Sequence, residues 1–262
     1  MNFYYVKKYL DYILFSSHKR GHGIHSPFVF NLITKVFRNK INPDVVFNIE
    51  KIRQMMISDK RLINVNDYGS GTEGTRGTLR KITEIKKHST IPKRYGLLLA
   101  ALSREFGKPG MIAVGTSLGL SPLYLAAGSP DVTVHLIESH PEILEIVKDN
   151  IVSSEPGNIS LYTGKFEEAL AEIANKGIKP GLFFIDGDHS NEKMLRYFKK
   201  VAEMGDRNSL IVLNDINGSA EMGETWKKIK KHEKVSLTVD IFRMGLVFFR
   251  EGVSRFDYII RY

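Results

Sequence analysis

The stretch Met111-Ile112-Ala113-Val114-Gly115-Thr116-Ser117-Leu118-Gly119-Leu120-Ser121-Pro122 decides how the rest of the chain is read. An apolar run enters a turn with two glycines four apart, and a proline follows where it can open a helix without losing a hydrogen bond. Two such glycines allow a tight turn and a close approach of a ligand to the backbone. Downstream the unit repeats. Short apolar runs predict strands at 132–138, 159–162, 181–186 and 210–215, and amphipathic stretches predict helices at 122–127, 141–152, 166–175, 192–203 and 220–231. Strands alternating with helices at this spacing form parallel crossovers covered on both faces. The last two strands, 236–242 and 245–250, are separated only by Arg243 and Met244. That is too short for a crossover, so they must pair antiparallel. The expectation is an α/β fold: a Rossmann-like, doubly wound, seven-stranded sheet with an antiparallel final hairpin.

Upstream the pattern changes. Residues 4–15, 27–36 and 49–57 carry apolar residues near helical spacing, a polar glycine-rich stretch covers 64–78, a basic segment covers 79–88, and 95–106 predicts a helix leading into the first strand. This divides the chain into an N-terminal helical or lid region, 1–94, and a sheet domain, 95–262. Within the first region, Gly69-Ser70-Gly71-Thr72-Glu73-Gly74 fits G-x-G-x-x-G and follows a short strand at 62–66. The residues after it, Thr75 to Lys81, lack the apolar face of a helix packed on a sheet, so a flexible loop is expected there instead of a dinucleotide site.

The 262 residues contain no cysteine, which excludes disulfides and thiolate metal sites. An intracellular, cytoplasmic protein is the simplest reading. The apolar run 9–15 contains Asp11 and precedes no small-residue cleavage site, and no run of 18 apolar residues occurs. The formal charge is +9. Residues 1–110 hold 20 Lys and Arg against 8 Asp and Glu, and the remainder 18 against 21, so the basic excess is N-terminal. It is either solvated surface or an attraction for an anionic substrate, nucleic acid or a membrane.

Glu138 ends the second strand, where a carboxylate can accept hydrogen bonds from both hydroxyls of a ribose. With the Gly115 turn, the strand end Phe184-Ile185-Asp186-Gly187-Asp188-His189-Ser190 and the segment Val212-Leu213-Asn214-Asp215-Ile216, it makes residues 95–250 resemble the class I S-adenosylmethionine-dependent methyltransferases. Within them the chain is most similar to the metal-dependent catechol and sugar O-methyltransferase-like group. The resemblance implies a cofactor set of Gly115, Thr116, Ser117, Gly119, Ser121, Glu138, Ser139, Gly164, Lys165, Phe166 and Asp186. Two positions depart from the pattern: Lys165 stands where an acid is frequent, and Ala113 stands where an acid usually supports the amino-acid end of the cofactor.

Asp186, Asn214 and Asp215 end neighbouring strands and offer oxygen only, a set for a hard divalent cation such as Mg²⁺ or Ca²⁺. A cation there would position an acceptor hydroxyl and lower its pKa, with Asp188 or His189 taking the proton and Asp186 beside them. The alternative is that Asp186 and Asp215 only cap strand ends and helix starts. The expected reaction is O-methylation of a small hydroxylated molecule. Nucleic-acid methylation through the basic N-terminal region is one alternative, and a non-catalytic protein bound to a membrane surface or partner is another; a homodimer is left open. Trp226 sits at helical spacing with Met222 and Ile229 and reads as packing, and His22 and His25 read as a turn before Pro27 or part of a lid.

Overall fold

The computed structural model describes residues 3–16, 21–65, 78–83, 90–115, 118–186, 191–252 and 255–262. The centre of the molecule follows from three apolar runs. Strands β3 (Met111–Val114), β6 (Leu182–Ile185) and β7 (Leu210–Asn214) are buried at every position. Alternate side chains enter opposite layers: Met111, Ala113, Leu182, Phe184, Leu210 and Val212 join one core cluster, while Ile112, Val114, Phe183, Ile185, Ile211 and Leu213 join the other. Burying each such phenylalanine stabilises the fold by roughly 1.5–3 kcal/mol.

The sheet has eight strands in the order β10-β8-β9-β7-β6-β3-β4-β5, with β4 at Val134–Glu138, β5 at Ile159–Thr163, β8 at Leu237–Asp240, β9 at Met244–Phe248 and β10 at Phe256–Ile259. Strands β5, β4, β3, β6 and β7 are parallel, and β9 runs antiparallel between β7 and β8 as the short connection requires. The expected seven strands are exceeded by one. Strand β10 pairs parallel to β8 at the edge, and its residues are exposed or half-buried, so it carries no apolar run to announce it. From β3 the chain builds outward to β4 and β5, then returns to β6 on the other side of β3. The crevice between β3 and β6 is therefore the switch point at which such sheets bind ligands.

Helices α4 (Lys93–Phe106), α5 (Leu120–Gly128) and α6 (Pro141–Ser154) cover one face; α7 (Phe166–Asn175), α8 (Asn191–Met204) and α9 (Ala220–Lys230) cover the other. Helices α4 and α5 pack most closely. A Cβ on Gly128 would stand 2.0 Å from the Ala100 carbonyl oxygen, and one on Gly96 2.3 Å from the Tyr124 ring. Ser103 Oγ seals the contact by donating to Leu125 O at 2.6 Å.

Of the N-terminal helices, α2 (Pro27–Thr34) and α3 (Pro43–Ser58) add Val29, Leu32, Ile33, Ile49 and Ile52 to the first cluster. Glu50 on α3 accepts from Tyr124 OH at 2.6 Å and pairs with Arg53 at 2.9 Å. Ser26 caps α2, accepting from Val29 N, with exposed His22 and His25 in the preceding turn. Helix α1 (Phe3–Phe15) lies against the C-terminus: Tyr12 OH donates to Ile260 O at 2.7 Å and accepts from Tyr262 N at 2.8 Å. Strands β1 (Leu62–Val65) and β2 (Thr78–Lys81) form a separate antiparallel hairpin. The glycine-rich residues 66–77 between them lie outside the described residues. Residues 78–81 are a strand returning along β1, not part of the helix that a dinucleotide fingerprint needs. Among the described residues no helix is long and apolar enough to cross a membrane.

Candidate active site

At the C-terminal ends of the parallel strands, backbone hydrogen bonds bring the candidates together. Gly115 N donates to Ile137 O at 3.2 Å, Gly164 N to Glu138 O at 3.4 Å, and Asp186 N to Val114 O at 2.9 Å. The ends of β3, β4, β5 and β6 therefore form one rim. Gly115 and Gly119 have φ of +63° and +86°, backbone angles that side chains resist, and Gly119 stands at the N-cap of α5. Asn150 Nδ2 pins the turn by donating to Leu118 O at 2.8 Å. Glu138 is buried at the end of β4, and its Oε1 accepts from His140 N at 2.9 Å. Thr116, Ser117, Asp188 and His189 lie outside the described residues.

The other cofactor candidates separate. Ser139 is exposed and Ser121 is buried in the first turn of α5. Lys165 is exposed and reaches Glu168 at 4.0 Å. Phe166 is buried in the core with its ring centroid 4.0 Å from that of Tyr197, packing α7 onto α8. Trp226 is packing, as expected: it is buried, and its Nε1 donates to Asp240 at 3.3 Å.

Asp186, Asn214 and Asp215 do converge. Asn214 Nδ2 donates to Asp186 Oδ1 and, at 3.3 Å, to Asp215 Oδ2. Asp186 Oδ2 and Asn214 Oδ1 are shut off from solvent with no protein partner among the described residues. Desolvation holds the Asp186 carboxyl well above the ordinary range; the Asp215 charge adds to this, while Asn214 and Arg243 oppose it.

Arg243 is the group the sequence reading passed over. Its Nε lies 3.1 Å from Asp215 Oδ1, and its Nη2 donates to Asp215 Oδ2 at 3.3 Å. The pairing Asn214↔Met244 between β7 and β9 places it there. Asp215 (φ +53°) and the neighbouring Phe242 (φ +71°) both hold left-handed backbone, uncommon for such residues and concentrated at functional sites. Phe242 N donates to Asp240 Oδ1 at 2.7 Å and Asn217 Nδ2 donates to Phe242 O at 2.8 Å, so the turn is held from two sides. Rings of Tyr5, Tyr9 and Tyr12 on α1 stand 5.0–5.3 Å from the Phe242 ring. Beside them opens a cavity of about 410 Å³, walled by these tyrosines with Tyr95, Phe242 and Arg94. Tyr5 also feels the site: burial raises its pKa, while the Arg243 guanidinium lowers it and the Asp215 carboxylate raises it.

Residues 112–216 match the family model described as a methyltransferase domain. That match covers 105 of the 262 residues. A Mycolicibacterium smegmatis protein named for a proposed O-methyltransferase activity is 34% identical over 96 residues, 36% of this chain and 45% of its own length. The chain thus spans less than half the length of the curated relatives it matches. Among solved structures, the chain resembles an O-methyltransferase from Bacillus cereus in complex with S-adenosylhomocysteine (TM-score 0.57, 17% identity, covering 84% of this chain and 97% of that one). It also resembles the O-methyltransferase TomG of Streptomyces achromogenes in complex with S-adenosylmethionine (TM-score 0.53, 17% identity, 62% and 82%). At that identity the structures establish a shared fold.

Proposed function

We propose that the chain binds S-adenosylmethionine at the rim of β3, β4 and β6 and methylates a hydroxyl oxygen of a small acceptor. The observation that carries this is the buried carboxylate of Glu138 beside the left-handed Gly115 turn at the switch point. A carboxylate there suits the two hydroxyls of a ribose, and the turn suits a close-lying methionine and adenosine. The shielded Asp186 Oδ2, one strand from that turn, suits the cationic end of the ligand. It offers an acid where Ala113, buried in the core between Leu136 and Phe184, has none.

Bound S-adenosylmethionine supplies an electrophilic methyl group on an excellent leaving group, so the protein has mainly to align an oxygen and take its proton. Asp186 stands nearest the turn to hold that proton, with Asp188 and His189 following it in sequence. Tyr5, which feels the charges of Arg243 and Asp215, lines the aromatic cavity with Phe242, and such walls suit a ring-bearing acceptor. Incubation with S-adenosylmethionine and a panel of phenols and catechols tests this reading. Formation of S-adenosylhomocysteine that depends on one acceptor class is the expected result. Turnover on RNA alone, lost at high salt, would replace it with the nucleic-acid reading.

A further inference from the structure

The donor set Asp186, Asn214 and Asp215 does not fit a divalent cation as it is built. We propose that the Arg243 guanidinium is the built-in cation of this site, and that the chain binds no divalent metal there. The inference rests on the methyltransferase reading of the same rim. Three observations carry it. Arg243 lies against both oxygens of Asp215, with Nη2 donating to Oδ2 at 3.3 Å and Nε 3.1 Å from Oδ1, so a metal on this carboxylate would stand against the guanidinium. Asn214 turns its amino group, not its oxygen, toward both carboxylates. Reversing that amide would set its oxygen against Asp186 Oδ1 and leave two acceptors facing each other. Finally, the main chain that carries the guanidinium is anchored: Arg243 N donates to Ile241 O at 2.9 Å, and Ile216 N donates to Arg243 O at 3.3 Å.

A metal would have to displace the guanidinium, rotate the amide and then sit beside a fixed positive charge at close range in a low-dielectric site. Arginine cannot lose its charge to make room. The carboxylates at the ends of β6 and β7 thus have a permanent counter-ion where a dication would otherwise neutralise them. Among the described residues, no group of three His, Cys, Asp or Glu side chains gathers to hold a metal elsewhere.

The test is uptake of Mn²⁺ by the full chain loaded with S-adenosylhomocysteine, followed by the paramagnetic resonance of the free ion. The wild type should leave the Mn²⁺ signal free, and Arg243→Met should bind one ion at least about tenfold more tightly, since it removes the guanidinium and its repulsion. Stoichiometric uptake by the wild type overturns the proposal, as does a folded Arg243→Met chain that still ignores Mn²⁺. Should Arg243→Met fail to fold, calorimetry on the wild type decides: its affinity for S-adenosylhomocysteine should be the same before and after EDTA treatment, and a fall overturns the proposal. Failure to bind S-adenosylhomocysteine under any condition is a different result, and strikes the underlying methyltransferase reading.

Discussion

Glu138 and Arg243 face each other across the question of what one residue reveals. The place of Glu138 was legible because it ends the apolar run that forms β4. Arg243 was not, because its partner Asp215 lies 28 positions away and the two meet only through the antiparallel register of β7 and β9. Asp215 and Asp186 both lie within hydrogen-bond reach of Asn214, yet which atoms face inward depends on hydrogen bonding that no spacing encodes. Glu138→Ala should weaken S-adenosylhomocysteine binding by about 10- to 100-fold, since hydrogen bonds to a charged acceptor contribute roughly 1.5–3 kcal/mol. Titration calorimetry reads this directly; an unchanged affinity would move the ribose elsewhere.

At the scale of elements, β3, β6 and β7 were legible because strands buried on both faces must be apolar throughout. The hairpin strand β2 and the edge strand β10 were not, because polar, partly exposed residues leave no periodic mark. The closest helix contact was equally silent: nothing near Gly128 says that a carbonyl of α4 lies against it. Gly128→Ala should lower stability by about 1–3 kcal/mol through overpacking, measured by denaturant unfolding, and a neutral result would mean α4 and α5 can separate without cost. Tyr12→Phe removes the hydroxyl that serves both Ile260 O and Tyr262 N and should cost about 1–3 kcal/mol by the same measurement.

His135, buried in β4, gives a pH dependence. Desolvation, aided by the Lys176 charge, depresses its pKa below the ordinary 6.5. The folded state then favours the neutral ring, so the stability this residue contributes is present above that value and is lost as pH falls through the depressed one. Between about pH 7.5 and about pH 5, the denaturation midpoint of the wild type should drop further than that of His135→Gln; parallel curves would remove His135 from the explanation.

Over the whole molecule, the sheet fixes where the cofactor rim lies, and the N-terminal region fixes what stands above it. Helix α1 brings Tyr5, Tyr9 and Tyr12 to the Phe242 turn and so walls the aromatic cavity there. The basic excess of residues 1–110 belongs to this same region. Its helices were legible from periodicity, but the docking of α1 against the chain's far end was not, because contacts such as Tyr262 N to Tyr12 OH, 250 positions apart, leave no local pattern. The measurement that bears most directly on the account is calorimetric titration of the full chain with S-adenosylhomocysteine. Binding of one molecule per chain, without added metal and abolished in the Gly115→Val/Glu138→Ala double variant, is the predicted result. No binding by the wild type, or binding that survives in the folded double variant, contradicts it.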